Sequence, residues 1–200
     1  MKLLVFGASG AVDRRLCRYA VSDGHAVTAF VRDRAAAPSG VAAVAGDVTD
    51  TEAVDATVAD ADAVYGALGT DDGVTPTRVD SVVTSMERHA VDRLVAVATA
   101  GILQATPSRL RLDTVEFPDR LDAVASAHNA VYARLRESAL DWTLACPPQM
   151  PDGPPTNHYR VTVDYLPDGG QSISTGDVAA FCYGALVDRT HLGERVGLAY

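Results

Sequence analysis

The sequence predicts an α/β protein, a three-layer sandwich in which helices cover both faces of a mainly parallel, doubly wound sheet. Three observations predict it. Short apolar runs alternate with segments of helical spacing along most of the 200 residues, the pattern of successive βαβ units with right-handed crossovers. The first run, Lys2-Leu3-Leu4-Val5-Phe6, is apolar without alternation, as a strand is when both of its faces are covered. Glycines mark strand ends, at Gly7 to Gly10 after the first, Gly46 after the third and Gly66 after the fourth. A chain of this length buries enough surface to hold a core without metal or disulfide staples, so one domain over residues 1–200 is expected.

After the turn Gly7-Ala8-Ser9-Gly10, the residues Leu16, Tyr19 and Ala20 recur with helical spacing, and Gly24-His25 stops that helix. Ala26 to Val31 makes a second strand, and Val41 to Ala45 a third that ends in Gly46-Asp47. Thr51 to Val58 reads as a helix, and Ala61 to Tyr65 as a fourth strand. The spacing of Val79, Val82, Val83 and Met86 predicts a longer helix over Val74 to Ala90. Leu94 to Ala98 is a fifth strand, Leu121 to Ser138 a helix, and Trp142 to Cys146 a sixth strand closed by Pro147-Pro148. The Pro/Gly-rich stretch from Pro147 to Pro155 reads as a loop within the domain. Beyond it, Arg160 to Tyr165 alternates like an edge strand, and Gly176 to Val187 supplies a last helix.

Composition narrows the classes of partner. Hydrophobic residues make up 48% and charged residues 22%, which excludes a disordered chain. Acidic residues number 26 against 17 basic, a net charge of −9, and Lys2 is the only lysine. A net-negative chain without a basic stripe is no binder of nucleic acid or of anionic membrane. Two accounts of the acidic bias stand side by side, GC-rich codon usage and a salt-rich cytoplasm. Apolar runs fall well short of the roughly 20 residues a membrane span needs, and Met1-Lys2 leads directly into the first strand rather than a signal peptide. The expectation is a soluble cytoplasmic protein, a monomer or small homo-oligomer with a small-molecule partner. Cys17, Cys146 and Cys182 are odd in number and widely spaced without a C-x-x-C pair, so buried free thiols are expected rather than a zinc site or redox dithiol, and no metal is expected.

The first strand-to-helix turn carries the chemistry. Gly7-x-x-Gly10 lets backbone approach a pyrophosphate, and the helix that follows offers free N–H groups and the positive end of its dipole. The alternative is a tight turn without a ligand. Arg32 follows the second strand, where a guanidinium meets the 2′-phosphate of NADP; Asp33 is the competing residue, since NAD-specific sites place a carboxylate near there. Asp47 is placed to accept from the adenine amino group, or else is a turn or cap residue.

The runs LLVFGASG, HAVTAFVRD, GDVTD, DAVYGALGT, VDRLVAVATAGI and LRESALDWTLACPP resemble the atypical short-chain dehydrogenase/reductase family with an NAD(P)H-binding domain, and within it the biliverdin-IXβ reductase/flavin reductase group. The resemblance runs from residue 2 to about residue 190 and includes a PP-x-x-x-D-x-P-x-T-x-x-Y stretch at Pro147 to Tyr159. It implies a Rossmann-like sandwich and an NAD(P)H-dependent oxidoreductase that passes hydride from nicotinamide to a flavin or similar planar acceptor. NADP is the implied cofactor, with NAD as the other possibility. The resemblance places Gly7, Ser9, Gly10 and Ala11 at the pyrophosphate, Arg32 at the 2′-phosphate, and Asp47-Val48 beside adenine. It puts Ala67, Leu68 and Gly69 along the ribose, and Pro147 and Pro148 by the nicotinamide. Thr99 takes the place of an active-site serine, and His128 that of a residue touching the nicotinamide ribose. Both are the expected catalytic residues. Thr99 then orients the carboxamide or the acceptor, or else caps the next turn; His128 donates to ribose or shuttles a proton, or else is a surface histidine. An acceptor region is expected in loops about 100–120 and 147–175, with Gln149, His158 and Tyr159 toward the substrate. Tyr132, one turn beyond His128, reads as packing.

Three departures accompany the resemblance. Asp13 stands where the G-x-x-G-x-x-G pattern has its third glycine, and a carboxylate there opposes bound phosphates. Either Arg14 and Arg15 offset it, or it turns outward at the helix start. Gln149 replaces a histidine of the biliverdin-reducing members, and Asp71 an arginine near their acceptor. These departures leave a second class of function, a non-catalytic NAD(P)-binding redox sensor resembling NmrA-type regulators.

Overall fold

The computed structural model describes residues 1–67 and 76–200, apart from the side chain of Ala67. Leu68, Gly69 and Asp71, and the start of the helix expected from Val74, lie outside the described residues. The chain runs β1 (Lys2–Phe6), α1 (Ala11–Ser22), β2 (Ala26–Val31), β3 (Ala42–Ala45), α2 (Thr51–Val58), β4 (Ala63–Ala67), α3 (Pro76–His89) and β5 (Arg93–Val97). A hairpin of β6 (Gln104–Thr106) and β7 (Arg109–Leu110) comes next, then α4 (Asp122–Arg136), β8 (Asp141–Cys146), β9 (Arg160–Val163), α5 (Thr175–Val187) and β10 (Glu194–Ala199). The expected strands and helices all appear where described, with ends shifted by a residue or two. No described helix is long and apolar enough to cross a membrane.

Eight strands form one sheet in the order β3-β2-β1-β4-β5-β8-β10-β9, and the pairing is parallel except for β9 against β10. This is the expected Rossmann-like sandwich with one correction. β10, absent from the sequence reading, separates β8 from β9. It begins with Glu194 and Arg195 and contains Gly197, so no apolar run marks it. Its arginine is satisfied instead by partners far along the chain, Nε donating to Asp164 at 2.7 Å and Nη1 to the Ile102 carbonyl, while Glu194 pairs with the nearby His191 at 2.8 Å.

Both faces of the sheet are covered, as the first run implies. Leu3 and Val5 pack with Leu16 and Cys17 of α1 and Cys182 of α5, while Leu4 and Phe6 pack with Val54 of α2, Met86 of α3 and Leu135 of α4. Successive β1 side chains therefore feed two separate cores. Cys17, Cys146 and Cys182 are free thiols buried in these cores.

Arg93 shows how strongly the sheet is locked at its other end. The residue is 1% exposed, yet its guanidinium donates to the carbonyls of Asp141 at 2.6 Å, Ala185 at 2.5 Å and Thr190 at 3.1 Å. It joins β5 to β8 and to the carboxyl end of α5, where a cation suits the helix dipole. Burial pushes its pKa down to about 10, so it stays charged at neutral pH. Arg93→Met strands those carbonyls and should lower the free energy of unfolding by about 2–4 kcal/mol. Urea denaturation checks this, and a loss below about 0.5 kcal/mol, the usual size of a surface substitution, would show the carbonyls are satisfied otherwise.

Candidate functional site

The strand order reverses between β1 and β4, and the crevice opens beyond their carboxyl ends. At the start of it, Gly7 has φ +83°, a conformation that glycine adopts without strain. The Ser9 N–H donates to the Gly7 carbonyl at 2.5 Å, and the chain turns at once into α1, whose first amides face the crevice.

Asp13 turns inward and is 4% exposed. Its Oδ2 accepts from the Gly10 N–H at 3.0 Å. A Cβ on Gly10 would lie 2.5 Å from that oxygen, so glycine at position 10 and the inward carboxylate go together. The outward alternative is thus not the one adopted, and neither arginine pairs with the carboxylate. Arg14 Nε donates to the Ser9 carbonyl at 2.8 Å, and Arg15 pairs with Asp152 at 3.0 Å. Burial pushes the Asp13 pKa up to about 6, against the pull of the Gly10 N–H, Tyr65 and the charge of Arg14.

Three hollows adjoin along this edge. The first, about 370 Å³, is walled by Phe6 and Phe30, whose rings lie 5.3 Å apart, and carries Arg32, Asp33, Asp47 and Val48. Asp33 accepts from the Ala35 N–H at 2.9 Å and Asp47 from Thr49 Oγ1 at 2.7 Å and its N–H at 2.8 Å. The Thr49 hydrogen bonds hold the exposed Asp47 carboxyl below its usual range, so it serves as a turn residue, while Asp50 caps α2. Arg78, in the first turns of α3, lines the same hollow. No motif announces Arg78; only its place just after β4 could have pointed to it.

The second hollow, about 340 Å³, shares Gly10 and Asp13 with the first and adds Ala11, Tyr65, His128 and Met150. His128 is 6% exposed, not a surface residue, and burial pushes its pKa down to about 4. Among the described residues, the Tyr65 hydroxyl and His128 Nδ1 are buried without a geometrically satisfied hydrogen-bond partner, so each is able to take one from a polar ligand in this hollow.

The third is a cleft of about 810 Å³ bounded by Thr99, Pro148, Gln149, Arg111, Phe117 and Arg120. Thr99 Oγ1 accepts from the Gly101 N–H at 3.3 Å, so it caps the turn and lines the cleft at once. Pro147 is buried behind it, and its carbonyl accepts from the Ala100 N–H at 2.9 Å. The two arginines and Phe117 escaped the sequence reading because the segment carrying them has no periodicity. His158 and Tyr159 are not brought to the cleft. His158 is exposed and bonded to the Thr156 carbonyl at 2.6 Å, and Tyr159 packs against the α1/α5 core. Tyr132 packs edge-on to Trp142 beneath the Arg195 guanidinium, which lies 4.5 Å from the ring centre.

A glycine turn, the free amides of α1, two cations at one end and two unpartnered polar groups at the other fit a dinucleotide. The buried carboxylate of Asp13, at the phosphate turn itself, is at odds with it. That carboxylate also burdens the fold: its pKa rises from 3.8 unfolded to about 6 folded, so the penalty is absent below 3.8, grows with pH and is complete above about 6. Asp13→Asn should therefore stabilise the protein by about 1–3 kcal/mol at pH 7.5 and much less at pH 4.5. Urea unfolding at the two pH values checks it; an equal gain at both would remove the burial penalty as the cause.

Residues 7–189 match the family described as NAD(P)H-binding. A 2-alkyl-3-oxoalkanoate reductase of Stenotrophomonas maltophilia is 31% identical over 159 residues, 72% of this chain and 48% of its own, so the chain spans about half the length of that relative. YwnB of Bacillus subtilis is 29% identical over 98% of this chain and 96% of its own. The solved structure of a candidate NADH-flavin reductase from Streptococcus pneumoniae superposes with a TM-score of 0.82 at 26% identity, over 100% of this chain and 99% of that one. A short-chain dehydrogenase/reductase of Veillonella parvula, in complex with NADP, shares the fold with a TM-score of 0.77 at 17% identity, over 100% and 94%. With this match over most of its length and this crevice, the chain belongs to the NAD(P)H-binding family.

Proposed function

We propose that the protein is an NADPH-dependent reductase that passes a hydride to a flavin or similar planar acceptor. The observation that carries this reading is the cleft beyond Thr99 and Pro148, which adjoins the His128 end of the groove and is large enough for a ring system. The candidate flavin reductase of Streptococcus pneumoniae supports the choice of acceptor. When bound, reduced nicotinamide supplies the hydride.

The chain's own residues then bind and position. Arg32 and Arg78 flank the far hollow and suit a 2′-phosphate, while Asp33 is engaged as a cap. Gly7, Ser9, Gly10 and Ala11 hold the bridging phosphates, and the ribose runs toward Ala67. Thr99 keeps its hydroxyl hydrogen free to donate toward the carboxamide or acceptor while its oxygen caps Gly101. His128 is neutral at physiological pH, so it holds a ribose hydroxyl by hydrogen bonding rather than supplying a proton. A flavin needs no strong acid from the protein, because water can protonate N5 of the reduced ring; positioning is the main contribution. Gln149 lines the acceptor side. Three buried free thiols suit a cytoplasmic location.

A sensor that binds NAD(P) without turnover is the second reading, favoured by the Asp13 carboxylate over the phosphate turn. One assay separates the two. Purified protein mixed with NADPH and FMN should speed the loss of NADPH absorbance above a protein-free blank. No acceleration despite measured NADPH binding would exclude the reductase and leave the sensor. A second test addresses the cofactor. Arg32→Ala should raise the Kd for NADPH by about tenfold or more and leave that for NADH nearly unchanged. Equal losses for both would refute the 2′-phosphate assignment.

A further inference from the structure

We propose that Asp13 is a built-in competitor for the cofactor's bridging phosphates, so that dinucleotide binding takes up a proton at this carboxylate. The inference rests on the dinucleotide reading of the groove. Among the described residues, the two hollows that hold the ends of a dinucleotide have just Gly10 and Asp13 in common. A ligand reaching from Arg32 to His128 must cross them, and the part that crosses is the diphosphate, with two negative charges. The Gly10 N–H, one of the first amides of α1, is already taken by Asp13 Oδ2 at 3.0 Å. The carboxylate thus occupies the role that a phosphate oxygen fills at a helix start.

Among the described residues no cation forms an ion pair with it, and the pull of the Gly10 N–H, Tyr65 and the Arg14 charge does not outweigh its burial. On α1 itself, Arg14 is turned to the Ser9 carbonyl and Arg15 to Asp152. Burial pushes the Cys17 thiol up to about 12, so it stays neutral. From β4, Tyr65 is held neutral by burial; from α5, burial raises Cys182 far above neutral pH; from α4, His128 is uncharged above pH 4. Across the first hollow stand Arg32, Asp33, Asp47 and Arg78. Among the described residues, Asp13 is therefore the group at the crossing point whose charge changes between pH 5 and 8. Protonated, it donates to a phosphate oxygen; ionised, it repels one.

The sign follows. Affinity is greatest below about pH 6 and falls as pH rises, by at most tenfold per pH unit. NAD+ is the probe, since its diphosphate has no group titrating between pH 5 and 8. Isothermal titration calorimetry at pH 5.5 and 8, in buffers of different ionisation enthalpy, gives both Kd and protons taken up. For the unaltered protein, Kd should rise by about tenfold or more over that range, with about half a proton or more absorbed per NAD+ at pH 7. Asp13→Asn should bind with less than about a twofold change and no uptake, and more tightly than the unaltered protein at pH 8. Asp13→Gly removes the carboxylate by another route and should behave alike. A flat Kd without proton uptake in the unaltered protein, or the same pH dependence in both variants, overturns the competitor role while leaving the groove assignment intact. Absence of NAD+ binding by all three proteins at every pH overturns both.

Discussion

The reversal of strand order at β1 is the constraint on which the site depends. Because β2 and β3 lie to one side of β1 and β4 and β5 to the other, α1 packs on one face while α2 and α3 pack on the opposite one. The chain connections leave the sheet in opposite directions at this point, which opens the crevice there. Gly10 and Asp13, Arg32, and Thr99 follow three different strands, β1, β2 and β5, yet all reach the same edge because those strands are parallel and end together. Binding groups thus come from loops held by a rigid sheet.

Two buried carboxylates show how local supply decides charge. Asp13 and Asp177 occupy the same third position, in α1 and α5 respectively. Burial alone would raise both. Asp177 receives hydrogen bonds from the Tyr200 hydroxyl at 2.7 Å, the Asn157 and Thr156 amides, and the Thr156 and Ser174 hydroxyls, which together hold it below its usual range. Asp13 has the Gly10 amide and little else. The loop around Thr156 is consequently committed to bracing α5, which keeps His158 and Tyr159 away from the cleft. The same residue type at the same helix position is a fastener in one place and an unsatisfied charge in the other.

What the sequence made legible follows from burial. Strands covered on both faces must be apolar, so β1, β2, β5 and β8 stand out as runs, and the glycines needed at their ends mark the crevice. β10 was invisible because charged residues open it and its Arg195 is satisfied by Asp164 and Ile102, partners that no local pattern reveals. Arg78 and Arg111 escaped for a related reason: their value lies in where a helix start or an irregular loop is delivered in space. Asp13 could be singled out as foreign to the glycine pattern. Its inward orientation could not, since a side chain's rotamer depends on the room left by Gly10.

The insertion of β10 between β8 and β9 bears on how the molecule is made. β9 precedes β10 in the chain but pairs with nothing else in the sheet. During synthesis, the half that carries the glycine turn, Arg32 and Asp47 can assemble from neighbouring segments as they emerge. The half that carries Thr99 must wait: Arg195, the brace between Ile102 and Asp164, follows both of them in the chain. Its contacts span 93 and 31 positions of chain, separations that are slow to close. The edge that carries Arg32 is thus built before the edge that carries Thr99 is braced.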